Sequence, residues 1–506
     1  MKARPGRTPR QFILLMTDQQ GANVVGCYGR PEAETPSLDR LAAQGVRFDA
    51  AHTTCPACSP ARSAIFTGLF PHANGAWGLE LPLGENVRTV GRRLRDGGVP
   101  AVYIGRWHLS PTDYFGDGRC PDGWDPAWWY DGRNYLEELP DDARRFSRRP
   151  HPPAEMRAAD FDAGMTYGRR VADRAIRFLR EHEGEDFLLV VSCDEPHAPC
   201  LAPAEFGERF ASFEYDPGPA VDDPLEGKPD THRLWAAQCD RDRSPLFSTR
   251  TRRCTWTDYF ACNSFIDSEL GRVIEAADRH APGALVLETS DHGDELWAHR
   301  LIGKGPAMYE GSTRVPLIVR WPGAAPAGTV CRAPVSQADL TPTILDFFGL
   351  PRPPVLQGTS LLPALRDPAG APARTIFMEY NRLGLSDMMG GFKPIRCAFD
   401  GRHKLVVNLL STDELYDLGD DPAELRNRID DPALAGVRAR LHGELLEWMF
   451  QSLDPFRAPE WEYRPWNRPE RLAWHGRDIG RPDDGYARPV LSYGTGMEAK
   501  TEPSGP

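Results

Sequence analysis

The 506-residue chain has no long apolar run. After the basic stretch Met1 to Arg10, the apolar segment Phe12 to Met16 is broken at Thr17 and Asp18, too short for the core of a signal peptide. Nothing approaches the length of a membrane span. There is no excess of positive charge either. The net charge of −12 argues against a general nucleic-acid binder, while local arginines or a metal could still hold an anionic substrate. No internal repeat is visible. No second Cys-x-x-Cys accompanies Cys55-Pro56-Ala57-Cys58, so a zinc site of that type lacks half its ligands. Eleven cysteines, an odd number, without a secretion signal predict reduced thiols and a cytoplasmic, membrane-free protein.

What is present is an alternation of strands and helices. Gln11 to Thr17, Ala101 to Ile104, Phe187 to Val191 and Leu285 to Leu287 read as buried strands. Thr35-Pro36 opens a helix through Leu38, Leu41 and Ala42. Val171 to Leu179 and Tyr259 to Ala277 keep helical spacing. This pattern predicts an α/β fold with a mainly parallel central sheet flanked by helices, functional groups gathering beyond the strands' carboxyl ends. The character changes near residue 375. Pro394 to Asn408 reads as a hairpin about Asp400-Gly401, Glu414 to Leu418 as a strand, and Pro432 to about Phe450 as a helix. The expected division is a catalytic α/β domain over 1–375, a smaller C-terminal α+β subdomain over 376–453, and an irregular Pro/Arg/Trp-rich tail over 454–506. That tail offers a surface for a homo-oligomer contact.

The most informative segment is Cys58-Ser59-Pro60-Ala61-Arg62. Ser59 suits an N-cap, Pro60 the first helical position, and Gly68 a stop. A side chain at 58 then faces the positive end of a helix, and Arg62 offers a fork for oxyanions. Cys55 and Cys58 alone would also suit a redox pair. Two further pairs end predicted strands: Asp18-Gln19 and Asp291-His292. Singly they read as turn or capping chemistry. Together they offer oxygen and imidazole donors for a divalent cation, calcium first, manganese or zinc next. Trp124, Trp128, Trp129 and Tyr130 present ring faces that suit either sugar stacking or the packing of a long loop. Asp222 to Thr249 reads as a polar lid near His197.

The Cys-x-Pro-x-Arg run resembles the signature of sulfatases, the formylglycine-dependent family of the alkaline-phosphatase-like superfamily. Further segments carry the likeness over roughly residues 10 to 450. They are Thr35 to Ala42, Gly105-Arg106-Trp107-His108-Leu109, Pro196-His197-Ala198-Pro199, Asp291 through His299 to Glu310, Leu340 to Asp346, and Glu414 to Glu424. The resemblance implies that a maturation enzyme oxidises Cys58 to formylglycine. It also implies a divalent metal held by Asp18, Gln19, residue 58, Asp291 and His292, and a small anionic sulfated substrate, a sugar or aryl ester. Catalytic residues would be Cys58, Arg62, His108, His197 and Lys304, with His108 the base of the elimination that expels sulfate. Arg106, His197, Lys304 and His299 would bind substrate.

Three positions depart from the family pattern: Arg106 replaces lysine, Gln19 replaces aspartate and His292 replaces asparagine. The last two also occur in branches that hydrolyse phosphonate monoesters and phosphodiesters, which is the alternative activity. A silent anion- or glycan-binding relative is the alternative from another class. The stretch His72 to Leu79 resembles branches acting on sulfated sugars.

Overall fold

Seven strands build the main sheet of the computed structural model, which describes residues 8–79, 81–149, 151–241, 247–248, 253–254, 256–383 and 391–467, with the short strand segments 472–474, 477–479, 490–491 and 498–499. In chain order they are β1 (Gln11–Asp18), β2 (Val46–Phe48), β3 (Ala101–Gly105), β4 (Phe187–Pro196), β5 (Leu285–Ser290), β6 (Leu317–Arg320) and β7 (Thr329–Cys331). Their spatial order is β7-β2-β6-β5-β1-β4-β3. β1 pairs in parallel with β4 and β5, and β3 with β4. Only β6 runs against its neighbours, β2 and β5. The four strands read from the sequence are thus the contiguous parallel half. The shorter β2, β6 and β7 were not legible as strands, because three or four residues are too few to show a period.

β1 is buried on both faces, as expected of a central parallel strand. Ile13 and Leu15 pack with Val171, Ala175 and Phe178 of α3 (Tyr167–Glu181) and with Ile266, Leu270 and Val273 of α4 (Thr257–His280). Phe12, Leu14 and Met16 pack with Ile65 and Phe66 of α2 (Cys58–Thr67) and with Leu340 and Ile344. α1 (Pro36–Ala43) is capped by a distant carboxylate: Asp267 of α4 accepts from the amides of Ser37 and Leu38 at 2.9 Å each. Thr35 turns its hydroxyl to the Gly26 amide instead.

A second, antiparallel sheet follows, β8 (Ile376–Tyr380), β9 (Ile395–Phe399), β10 (His403–Asn408) and β11 (Glu414–Asp417), covered by α5 (Ala435–Gln451). Both sheets lie in one spatial unit, residues 1–457. Residues 458–506 form another, and much of that tail lies outside the described residues. Among the described residues, no helix is long and apolar enough to cross a membrane.

The aromatic cluster is structural. Trp124 packs edge-on against Phe66 and Tyr103, Trp129 lies tilted on Tyr103 and edge-on to Trp107, and Trp128 packs edge-on against Phe178. The expected lid is divided. Asp223, Lys228 and His232 are buried, while residues 242–246 and 249 lie outside the described residues. His72 is also buried, bonded to Glu379 of β8 and, through Nε2, to Ser452 at 2.9 Å.

Candidate active site

The parallel register delivers Asp18 at the end of β1 and Asp291-His292 directly after β5, so both pairs stand at one rim. α2 brings Cys58 to the same place. Its cap differs from the sequence expectation. The helix begins at Cys58 itself, with extended Ala57 as the N-cap, so Ser59 and Pro60 are the second and third helical residues. The Ser59 hydroxyl donates to the Leu79 carbonyl at 3.2 Å rather than capping. Pro60 is tolerated because first-turn amides have no partner within the helix. Gly68, at φ 68°, closes the helix as expected.

Cys58 Sγ lies 3.5 Å from Asp18 Oδ1 and 3.0 Å from His292 Nε2. Ligand atoms of Asp18, Cys58, Asp291 and His292 all fall within 4.8 Å of one another, every one buried. His292 Nδ1 is 2.8 Å from the Gly293 carbonyl, which can only accept. That nitrogen therefore carries the proton, and the Nε2 lone pair faces the cluster. Burial, reinforced by Lys304, pushes the His292 pKa down to about 3, so the lone pair stays free. Two carboxylates and a neutral imidazole suit a divalent cation. Burial and the Asp18 carboxylate push the Cys58 thiol up to about 12, which leaves an unmodified thiol protonated and a poor nucleophile.

Arg62 lies wholly inside this cluster. It donates to Asp291 Oδ2 at 2.8 Å, Asp18 Oδ2 at 3.1 Å, the Ser192 hydroxyl at 2.8 Å and the Arg106 carbonyl at 2.6 Å. Burial works to raise the pKa of Asp18, but the charges of Arg106 and Arg62 outweigh it and hold the carboxyl well below its usual range. Asp291, buried and beside Asp18, is pushed up to about 7.

Arg106 follows β3 and forms the next wall. Its Nε lies 2.9 Å from Asp18 Oδ2, Nη1 pairs with Asp194, and Nη2 lies 2.8 Å from His108 Nδ1. The guanidinium sits 3.9 Å over the Tyr114 ring. Tyr114 donates its hydroxyl to Asp194 Oδ1 at 2.5 Å, and the same hydroxyl is 2.9 Å from His197 Nδ1. Sequence reasoning assigned no role to Tyr114 or Asp194. The available signal was the pairing of β3 with β4, which makes the residues following each of them neighbours. Beside this wall is a cavity of about 290 Å³ lined by Arg106, Tyr114, Tyr135, Tyr167, Glu195 and His197, among others.

The Gln19 side chain is engaged by residues other than the four donors. Its amide oxygen accepts from Lys304 Nζ at 2.5 Å and its amide nitrogen donates to Asp294 at 2.6 Å. Only its backbone amide touches the cluster, donating to Asp291 Oδ1 at 3.1 Å. The residue expected as a metal ligand thus holds the expected anion-binding lysine. His299 is elsewhere. It stacks on Tyr309 at 3.7 Å and bonds Asp223 through Nδ1 at 2.6 Å, beside Lys228, so its recorded partners lie outside the Cys58 cluster. Of the eleven expected site residues, the structure gathers the other ten.

Comparison with known proteins agrees with this geometry. The family model described as Sulfatase matches residues 10–350, and the one described as N-sulphoglucosamine sulphohydrolase, C-terminal, matches residues 298–451. The chain is 41% identical to an uncharacterised sulfatase, YidJ, of Escherichia coli K12, over 96% of both chains. Among solved structures it is similar to a protein in complex with its substrate D-glucosamine-2-N,6-O-disulfate. That likeness has a TM-score of 0.72 and 22% identity, covering 89% of this chain and 99% of that one. It is also similar to a phosphonate monoester hydrolase from Silicibacter pomeroyi, with a TM-score of 0.71 and 22% identity, covering 88% and 96%. With a family match spanning most of its length and the cysteine, carboxylates and arginine of the motif converging at one sheet rim, the chain belongs to the sulfatase family and is a hydrolase of sulfuric ester bonds.

Proposed function

We propose that this chain hydrolyses the sulfate ester of a sugar or aryl alcohol, with position 58 oxidised to formylglycine and one divalent cation, calcium first among candidates, at Asp18, Asp291 and His292. One observation carries the reading: the position-58 side chain shares a buried pocket of mutually close donors with two carboxylates and an imidazole lone pair. When bound, the cation would supply Lewis acidity at position 58 and favour its ionised form at neutral pH.

The protein's own residues do the rest. Arg62 holds the two carboxylates in register through one planar fork. Lys304, steadied by Gln19, and Arg106, steadied by Asp18 and Asp194, supply positive charge for a sulfuryl group. Trp107, Tyr114, Tyr135 and Tyr167 on the neighbouring cavity offer apolar faces to the carrier of the sulfate. The whole pentapeptide Cys58 to Arg62 is buried, so the maturation enzyme would act before the chain folds. A cytoplasmic location belongs to the same reading, resting on the cysteine content.

Hydrolysis of phosphonate monoesters or phosphodiesters is the second reading, favoured by Gln19 and His292 in place of the commoner residues and by the likeness to the phosphonate monoester hydrolase. Turnover of an aryl sulfate against an aryl phenylphosphonate decides between them. Mass analysis of the tryptic peptide Phe48 to Arg62 tests the nucleophile. Active protein with an intact thiol, or full turnover in Cys58→Ser, would remove the mechanism.

A further inference from the structure

Two histidines flank Arg106, and their hydrogen bonds fix where each keeps its proton. An arginine side chain only donates. Arg106 Nη2 lies 2.8 Å from His108 Nδ1, so that nitrogen must accept, and the proton of neutral His108 is on Nε2. His197 is the reverse. Its Nδ1 is 2.8 Å from the Ala198 carbonyl, which only accepts. It is also 2.9 Å from the Tyr114 hydroxyl, whose single proton is given to Asp194. Both partners require a proton on His197 Nδ1, leaving the lone pair on Nε2.

We propose that His197, not His108, is the proton-accepting imidazole of this site, and that Arg106 is the positioning residue that keeps His108 a hydrogen-bond donor. The inference rests on the sulfatase reading above and divides the roles of its two histidines differently from what the family resemblance implies.

The protonated states support the division. A proton arriving on His197 Nε2 gives an imidazolium whose Nδ1–H already points at the Tyr114 hydroxyl, which passes its own bond to the Asp194 carboxylate. With position 58 as the formylglycine hydrate, the proton taken up on Nε2 would come from its remaining hydroxyl as the carbon–oxygen bond to sulfate breaks, and the same nitrogen would give a proton to the departing alcohol oxygen as the sulfur–oxygen bond breaks, one taken up and one given back in each turnover. His108 has no such support. If it took a second proton, an N–H at Nδ1 would face an Arg106 N–H across the same 2.8 Å. Arg106 is not free to swing away, being paired with Asp18 and Asp194 and seated on the Tyr114 ring. His108 can instead offer Nε2–H to a sulfuryl oxygen without changing its protonation. Lysine at position 106 would donate from one mobile ammonium. The planar fork can reach Asp18, Asp194 and His108 together, so the arrangement is a consequence of this chain's departure from the family pattern.

The test has a spectroscopic and a kinetic arm, both on the full chain. Nitrogen-15 imidazole spectra, assigned with His108→Gln and His197→Gln, should show His108 protonated at Nε2 and His197 at Nδ1. Arg106→Met should move His108 toward a mixture of tautomers. The opposite assignment in the wild type overturns the proposal, and so does a His108 signal indifferent to Arg106→Met.

In turnover of an aryl sulfate, His108→Gln keeps an N–H donor near the Nε2 position and should lose about tenfold at most. His197→Gln loses the acceptor and should fall by about 10²–10⁴, the usual contribution of general acid–base catalysis. If His108→Gln falls as far as His108→Ala, or His197→Gln stays within about tenfold of wild type, the division of roles is wrong. If the wild type hydrolyses no sulfate ester, the function is refuted, and the spectra still decide the tautomers by themselves.

Discussion

Replacing Arg62 by methionine removes the guanidinium that stands between two fully buried carboxylates, Asp18 and Asp291. Asp18 keeps Arg106 as a partner, so the loss falls on Asp291. Taking away one partner of a buried ion pair costs about 3–5 kcal/mol, because the remaining charge stays without compensation. The Ser192 hydroxyl and the Arg106 carbonyl each lose a donor but stay bonded to one another, and the carbonyl keeps the Tyr103 hydroxyl, so neither is left unmade. The low end of the range, about 3 kcal/mol, is more than half of the roughly 5 kcal/mol that marks the lower limit of what holds a typical native protein folded. Arg62→Lys should recover less than half of the loss, since one ammonium cannot reach acceptors on both sides of the fork.

The assay is urea unfolding in the presence of a chelator, so that no cation replaces the missing charge, with the slope compared between variants. Adding a divalent cation should restore part of the loss in Arg62→Met, because it places positive charge between the same carboxylates. A methionine variant within about 1 kcal/mol of wild type at unchanged slope would refute the claim that this guanidinium holds the site together.

Three other outcomes follow from the same structure. Glu288 on β5 is buried with neither carboxylate oxygen hydrogen-bonded, and burial, with Asp267 nearby, pushes its pKa from 4.5 up to about 8. Its contribution to stability is present in full below about pH 4.5 and is lost as the pH rises through about 8. Glu288→Gln should therefore gain on wild type across that window by up to about 5 kcal/mol, read as diverging unfolding midpoints; parallel midpoints would contradict it. Cys55→Ala should retain turnover, because that thiol sits in an apolar cluster with Met308 and Met378; a lost activity would revive the redox reading of Cys55 and Cys58. Inorganic sulfate should raise the melting temperature in the presence of a divalent cation and have little effect in chelator, as measured by thermal shift.

Much of the site was legible because its residues end apolar runs. Asp18, Arg106, Asp194 and Asp291 each stand at or just beyond the carboxyl end of a parallel strand that the sequence shows plainly. What stayed hidden depends on pairing across the chain. Tyr114 is a lone aromatic in a stretch without periodicity, and its place over Arg106 follows only once β3 is known to lie beside β4. Ser59 has the chemistry of a cap, yet Leu79 offers its hydroxyl a carbonyl and the helix starts two residues earlier than a Ser59 cap would place it. His299 lies close in sequence to Lys304, but Leu296, Trp297, His299 and Arg300 all take left-handed backbone angles. That turn brings the ring onto Tyr309, and Asp223 and Lys228 complete its surroundings. Proximity along a loop was a poor guide where the backbone reverses so tightly.

The charge balance at the rim explains why a cation and an oxyanion should bind together. Arg62, Arg106 and Lys304 bring three positive charges; Asp18, Asp194 and Asp291 pair with the arginines, and Asp294 reaches Lys304 through the Gln19 amide, which makes four carboxylates. His108, His197 and His292 add none, since burial holds each below its ordinary pKa. Fully ionised, the side chains alone leave the rim one unit negative, in a protein already at −12, and an incoming sulfate monoester is repelled. A divalent cation reverses that sign to one unit positive. It does so where the arginines and Lys304 already aim their donors, and in a buried setting where each unit counts for more than in water. On this reckoning the cation is a condition of substrate capture as much as of chemistry, and the sulfate shift measured with and without chelator tests the electrostatics apart from turnover.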